Sequence, residues 1–168
     1  MSCLQIYCGD GKGKTTASIG LAVRAAGAGM SVAFVQLMKG SYTSELEILK
    51  NIKGITVSRC DRNYGFYKNM SENDIAEITA CHDRLLRDAF SGGYDMIILD
   101  EFNSAYAHGL MDRTAAEKYI LGGGREIILT GRNPDKKFTD AADYVSEIKC
   151  VKHPFITSGL TARKGIEY

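Results

Sequence analysis

The chain has no C-x-x-C pair, only two prolines, no apolar run longer than a strand and no excess of either charge. Its five cysteines, Cys3, Cys8, Cys60, Cys81 and Cys150, are an odd number without metal-ligand spacing, which argues against a disulfide framework and a structural zinc site. They are expected to be reduced, buried small hydrophobes. With so little proline, no repeat and no low-complexity stretch, nothing marks a domain boundary, and residues 1–168 read as one domain. The apolar runs are too short to span a membrane, and Met1-Ser2-Cys3 leads into a strand without a basic-then-apolar leader, so a cytoplasmic protein is expected. The 21 basic and 20 acidic side chains leave a net charge of +1. No global field then favours nucleic acid or an anionic membrane, and an anionic ligand must be held locally.

Hydrophobic residues make up 45% of the chain, enough for a full core. Strand-length apolar runs cover residues 4–8, 32–37, 55–57, 96–99, 126–130 and 144–148. Between them lie helical patterns. Ile19, Ala22, Val23 and Ala26 keep one face until Gly27 and Gly29, and Ser44 with Glu47 has capping-box spacing. From Ser71 onward Ile75, Ile78, His82, Leu85, Leu86 and Phe90 form a stripe, and further helices are expected over 112–121 and about 135–142. This alternation predicts an α/β fold, a mainly parallel sheet of about six strands with helices on both faces. Ligands of such sheets bind at the carboxyl ends of the strands. Residues 59–69 have no readable period and are a candidate active-site loop.

The first strand runs into Gly9-Asp10-Gly11-Lys12-Gly13-Lys14-Thr15-Thr16. A phosphate-binding loop needs glycines that turn backbone N–H groups inward, a lysine for the outer phosphates, a hydroxyl for Mg²⁺ and a helix N-terminus facing the anion. Gly9, Gly11 and Gly13, then Lys14, then Thr15 and the following helix meet all four needs in order. The strict spacing fails by one residue, because Cys8 stands where the first glycine belongs. The matching acid at the end of a neighbouring strand is Asp100 or Glu101. Arg132 is placed to reach a phosphate or ribose. Arg24 reads as solvated on pattern alone, His82 as a satisfied core histidine, and His108 carries no assignment. There is no kinase H-R-D motif and no G-x-S-x-G elbow.

These residues resemble the ATP:corrinoid adenosyltransferases of the CobA/CobO type. The likeness is carried by the phosphate loop, Leu99-Asp100-Glu101, Leu129-Thr130-Gly131-Arg132, Ala142-Asp143 to Ser146-Glu147, and the tail from Lys152-His153-Pro154-Phe155 to Gly165-Ile166-Glu167-Tyr168. The resemblance implies a RecA-like P-loop fold that moves the 5′-deoxyadenosyl group of ATP onto the Co(I) of a reduced corrinoid, with triphosphate leaving. By position it makes Thr15 and Glu101, with Asp100 beside them, the Mg²⁺ ligands, Lys14 and Glu101 the catalytic pair, and Arg24 a nucleotide contact. It assigns the corrinoid to Phe66, Tyr67 and His153. It also implies a homodimer and a flavoprotein or flavin reductant.

Two departures stand out. A second lower-face aromatic, a Trp in some members, corresponds to Lys68, and the chain has no Trp. The N-terminal extension of longer members is missing, which implies a more open corrinoid pocket. The competing readings are a P-loop nucleotide kinase or ATPase and a nucleotide- or corrinoid-sensing switch.

Overall fold

The computed structural model describes residues 2–168. Six strands, β1 (Leu4–Cys8), β2 (Val32–Gln36), β3 (Ile55–Arg59), β4 (Met96–Asp100), β5 (Glu126–Thr130) and β6 (Tyr144–Glu147), form one all-parallel sheet in the order β3-β2-β4-β5-β1-β6. The helices between them are α1 (Lys14–Gly27), α2 (Glu45–Leu49), α3 (Glu72–Ser91), α4 (Phe102–Ala107), α5 (Arg113–Leu121) and α6 (Lys136–Ala141), with α7 (Pro154–Ser158) after β6.

Side chains alternate along a strand, so each strand feeds two cores. Ile6, Val35, Ile97, Leu99 and Leu129 face Leu86 of α3, Phe102 of α4, Ile120 of α5 and Phe138 of α6. Val32, Phe34, Met96, Ile98 and Ile128 face Ala22 and Ala25 of α1 and Leu46 and Leu49 of α2. Every residue of β2 and β4 is buried, as parallel strands covered on both faces require. Each large aliphatic side chain so buried contributes roughly 1.5–3 kcal/mol.

Several expectations are corrected. Val23 is 44% exposed. The inward face of α1 runs instead through Lys14, Ser18, Ala22 and Ala25, because the phosphate loop fixes where the helix starts its rotation. Ser44 does not cap α2; its hydroxyl donates to the carbonyl of Tyr168 at 3.0 Å. Ser71 does cap α3, in a reciprocal box with Asp74. The acid-bearing strand β4 is not adjacent to β1, since β5 lies between them. Cys60 and Cys81 are joined in a disulfide, because α3 folds back beside the end of β3 and brings their Cα atoms to 6.1 Å. Burial raises the Cys8 thiol above its ordinary range, in keeping with an inert core cysteine. Among the described residues no helix is long and apolar enough to cross a membrane.

Candidate active site

The carboxyl edge of the sheet is where the backbone is least relaxed. Among the described residues three non-glycine residues have positive φ, Met38 (57°), Glu101 (61°) and Asn133 (49°), and they follow β2, β4 and β5. Such conformations cost roughly 1–3 kcal/mol each and persist only where the surroundings impose them. The phosphate loop closes against the exit of β6. A Cβ on Gly9 would lie 2.4 Å from the Ile148 carbonyl oxygen and one on Gly11 2.7 Å from it, while the Gly11 N–H donates to that oxygen at 2.8 Å. The glycines are therefore demanded by a neighbouring strand as well as by a ligand.

Beneath the loop lies a closed hydrogen-bond network. Asp100 is fully buried. Its Oδ1 accepts from the Thr15 hydroxyl at 2.9 Å and the Thr130 hydroxyl at 2.7 Å, and its Oδ2 accepts from the Lys39 ammonium at 2.7 Å. Lys39 also donates to Thr15 Oγ1 at 3.3 Å, and the Glu101 N–H donates to Thr130 Oγ1 at 2.9 Å. Lys14 folds over the loop, its Nζ donating to the Gly11 carbonyl at 2.8 Å. The Thr15 hydroxyl and the carboxylates of Asp100 and Glu101 are hard oxygen donors of the kind Mg²⁺ takes, with phosphate and water filling its remaining positions. An ammonium already resting on two of those donors marks the spot as suited to a cation.

Above this network a cleft of about 780 Å³ is lined by Asp10, Gly11, Lys12, Gly13, Lys14, Thr15, Thr16, Glu101, Arg132 and His153. Gly9 borders an adjoining cleft of about 430 Å³ that shares Asp10 and Arg132. The Cys150 N–H donates to Asp10 at 3.1 Å and holds that carboxyl below its usual range.

A family model described as ATP:corrinoid adenosyltransferase BtuR/CobO/CobP matches residues 1–168. The chain belongs to this family. It is 33% identical to the corrinoid adenosyltransferase CobA of Salmonella typhimurium over 168 residues, spanning 97% of this chain and 84% of the relative. It is 33% identical to the corrinoid adenosyltransferase of Pseudomonas aeruginosa, spanning 98% and 83% of the two chains. Against that of Escherichia coli K12 the identity is 30%, over 97% and 84%. The P-loop-type α/β fold expected from the sequence is thus the fold of the family and of this chain alike.

This adenosyltransferase does not gather all of its expected site residues in one cleft. Arg24 is exposed on α1, nearly three turns beyond Lys14, and lies outside the lining. Phe66 and Tyr67 lie outside it too. Phe66 is 78% exposed, which excludes packing into the core as its role, and Tyr67 stacks on His108 with ring centroids 4.1 Å apart. Of the other histidines, His153 lines the cleft and caps α7, accepting from the Phe155 N–H at 3.2 Å. His82 is buried as expected, bonded at both ring nitrogens to Met38 N–H and the Leu110 carbonyl.

Three further residues, to which the sequence assigned no role there, enter the site. Lys39 and Thr130 complete the Asp100 network, and Glu167 pairs with Lys12 of the phosphate loop at 2.7 Å. Hydrogen bonds from Arg163, then from Lys12, pull the Glu167 carboxyl down to about 2. Lys39 and Thr130 both sit at strand carboxyl ends, the signal that found Asp100.

Proposed function

We propose that this adenosyltransferase moves the 5′-deoxyadenosyl group of ATP to the cobalt of a Co(I) corrinoid, making adenosylcobalamin or its precursor. The C5′–O bond breaks, a cobalt–carbon bond forms and inorganic triphosphate leaves. The observation that carries this reading is the cleft in which the phosphate loop, Lys14, Glu101 and Arg132 meet above the Thr15–Asp100 pair.

In this reading Lys14 and the loop N–H groups other than that of Gly11, which is engaged by Ile148, grip the triphosphate, and Arg132 reaches a phosphate or the ribose. Thr15 and Glu101, with Asp100 beneath, would hold Mg²⁺, whose charge would neutralise part of that on the departing triphosphate. Co(I) is itself a strong nucleophile, so no general base is needed, in keeping with a site whose histidines are engaged in structural hydrogen bonds or stacking. Positioning and electrostatic stabilisation then suffice. Phe66, Tyr67 and His153 are the residues assigned to the corrinoid, and the exposure of Phe66 leaves its ring free to meet a flat apolar ligand. Arg24, on the exposed face of α1, is the nucleotide contact that the family resemblance assigns. The reading extends to a single-domain homodimer in the cytoplasm that draws its electron from a flavoprotein or free flavin.

The test is an anaerobic assay with ATP, Mg²⁺ and a chemically reduced corrinoid, followed by product identification. Triphosphate and a cobalt–carbon bond are expected. Release of ADP at a rate independent of corrinoid would instead identify a kinase or ATPase. Tight ATP binding without consumption of Co(I) would identify a sensor.

A further inference from the structure

Asp100 has no solvent exposure and needs an opposite charge at contact, because a buried carboxylate without one is strongly disfavoured. Among the described residues its paired cation is Lys39, whose side chain remains 27% exposed at the floor of the cleft. Lys39 is not there by chance of rotamer. It follows Met38, whose φ of 57° turns the chain at the end of β2. The Met38 N–H donates to His82 Nε2 at 3.1 Å, and His82 Nδ1 donates to the Leu110 carbonyl at 2.8 Å. A buried histidine on α3 thus pins the turn that sends Lys39 across the sheet edge to Asp100.

The oxygens that Lys39 touches, Thr15 Oγ1 and Asp100 Oδ2, are donors that a phosphate-bound divalent cation would take. Two cations at contact distance exclude each other. We propose that Lys39 is a placeholder cation that makes metal binding at this site conditional on nucleotide. Without nucleotide it neutralises Asp100 and turns away bare Mg²⁺. When metal and nucleotide enter together, Thr15 and Glu101, with Asp100 beside them, would hold the metal, and the ammonium would swing on its flexible stem to the triphosphate. The triphosphate then replaces the carboxylate as its partner. Lys39 is in this sense a positioning residue for the metal–nucleotide complex. The inference rests on the triphosphate reading of the cleft given above.

The experiment compares wild type, Lys39→Met and Lys39→Arg, with Mn²⁺ as the probe. Paramagnetic resonance reads bare Mn²⁺ binding, and calorimetry reads binding of ATP in the presence of Mn²⁺. Lys39→Met is expected to bind bare Mn²⁺ about tenfold more tightly and Mn²⁺–ATP about tenfold more weakly, the scale of one charge lost or gained at contact in a partly screened site. Lys39→Arg, which keeps the charge, is expected to stay close to wild type in both. A damaged fold does not tighten metal binding, so the opposite signs separate this role from a structural one. Both affinities unchanged, or both weakened together, would overturn the proposal. A wild type that binds no Mn²⁺–ATP would instead remove the nucleotide site itself, and the placeholder with it.

Discussion

Thr130 donates its hydroxyl to Asp100 at 2.7 Å and accepts the Glu101 N–H at 2.9 Å, so one side chain of β5 holds the carboxylate that ends β4 and the backbone of the residue after it. Thr130→Val keeps the shape and removes both bonds. It should cost roughly 1–3 kcal/mol, the scale of leaving buried polar partners unsatisfied, and should lower activity as Asp100 loses its orientation. Urea denaturation beside the adenosylation assay reads both. Stability equal to wild type would mean that Thr15 and Lys39 satisfy Asp100 without Thr130.

Lys14→Ala removes the one side chain of the loop that is both buried and charged. Activity should fall by about two to four orders of magnitude, as for a lost transition-state donor, with the melting temperature little changed. Steady-state rates under anaerobic conditions decide it, and undiminished turnover would refute the triphosphate placement.

Phe66 is largely exposed, so Phe66→Ala should leave stability within about 0.5 kcal/mol of wild type, as for an ordinary surface change. Adenosylation should slow when cob(II) must be reduced on the enzyme, and slow less when pre-formed Co(I) is supplied. Equal losses in the two assays would take the residue out of the reduction step.

Burial lowers the pKa of His82 in the folded protein. The unfolded chain therefore binds a proton before the folded one does. His82 contributes its stability fully above its unfolded value of about 6.5, and that contribution is lost as pH falls from there toward the folded pKa. Melting temperature should decline as pH is lowered from 7 to about 5, before ordinary carboxylates titrate. His82→Gln, which cannot charge, should flatten that decline, and an unflattened profile would assign the slope elsewhere.

The Cys60–Cys81 bond closes a loop with a sequence separation of 21. A closure of this length is worth roughly 3 kcal/mol, so reductant should lower the melting temperature and Cys81→Ser should abolish the response. Denatured without reductant, the protein should titrate as three thiols, those of Cys3, Cys8 and Cys150. Five thiols would contradict the pairing.

Legibility from sequence tracked how local each determinant is. β4 and β5 were readable because their runs are continuously apolar, and α3 because Ser71 and Asp74 form its box within four residues. The phosphate loop was readable as a contiguous motif. Lys39 was not, since its partner lies 61 residues away and meets it only because β2 lies beside β4. Nothing in the spacing of Cys60 and Cys81 reveals that α3 returns to the end of β3. α4 was hidden because its six residues have no side-chain N-cap to announce them, unlike α6, which Asp135 caps. Phe66 was assigned through the family resemblance alone, since residues 59–69 have no readable period.

The seating of Gly9 and Gly11 against Ile148 sets an order of events during folding. The loop belongs to the first fifteen or so residues, yet its walls include a carbonyl more than a hundred residues downstream. β6 is an edge strand with every residue exposed, and its register against β1 is among the longest-range pairings in the chain. Contacts of such high contact order form late. A nascent chain emerging from the ribosome would thus carry its nucleotide-binding residues for most of synthesis without the shape to use them, and competence to bind would arrive with the last strand.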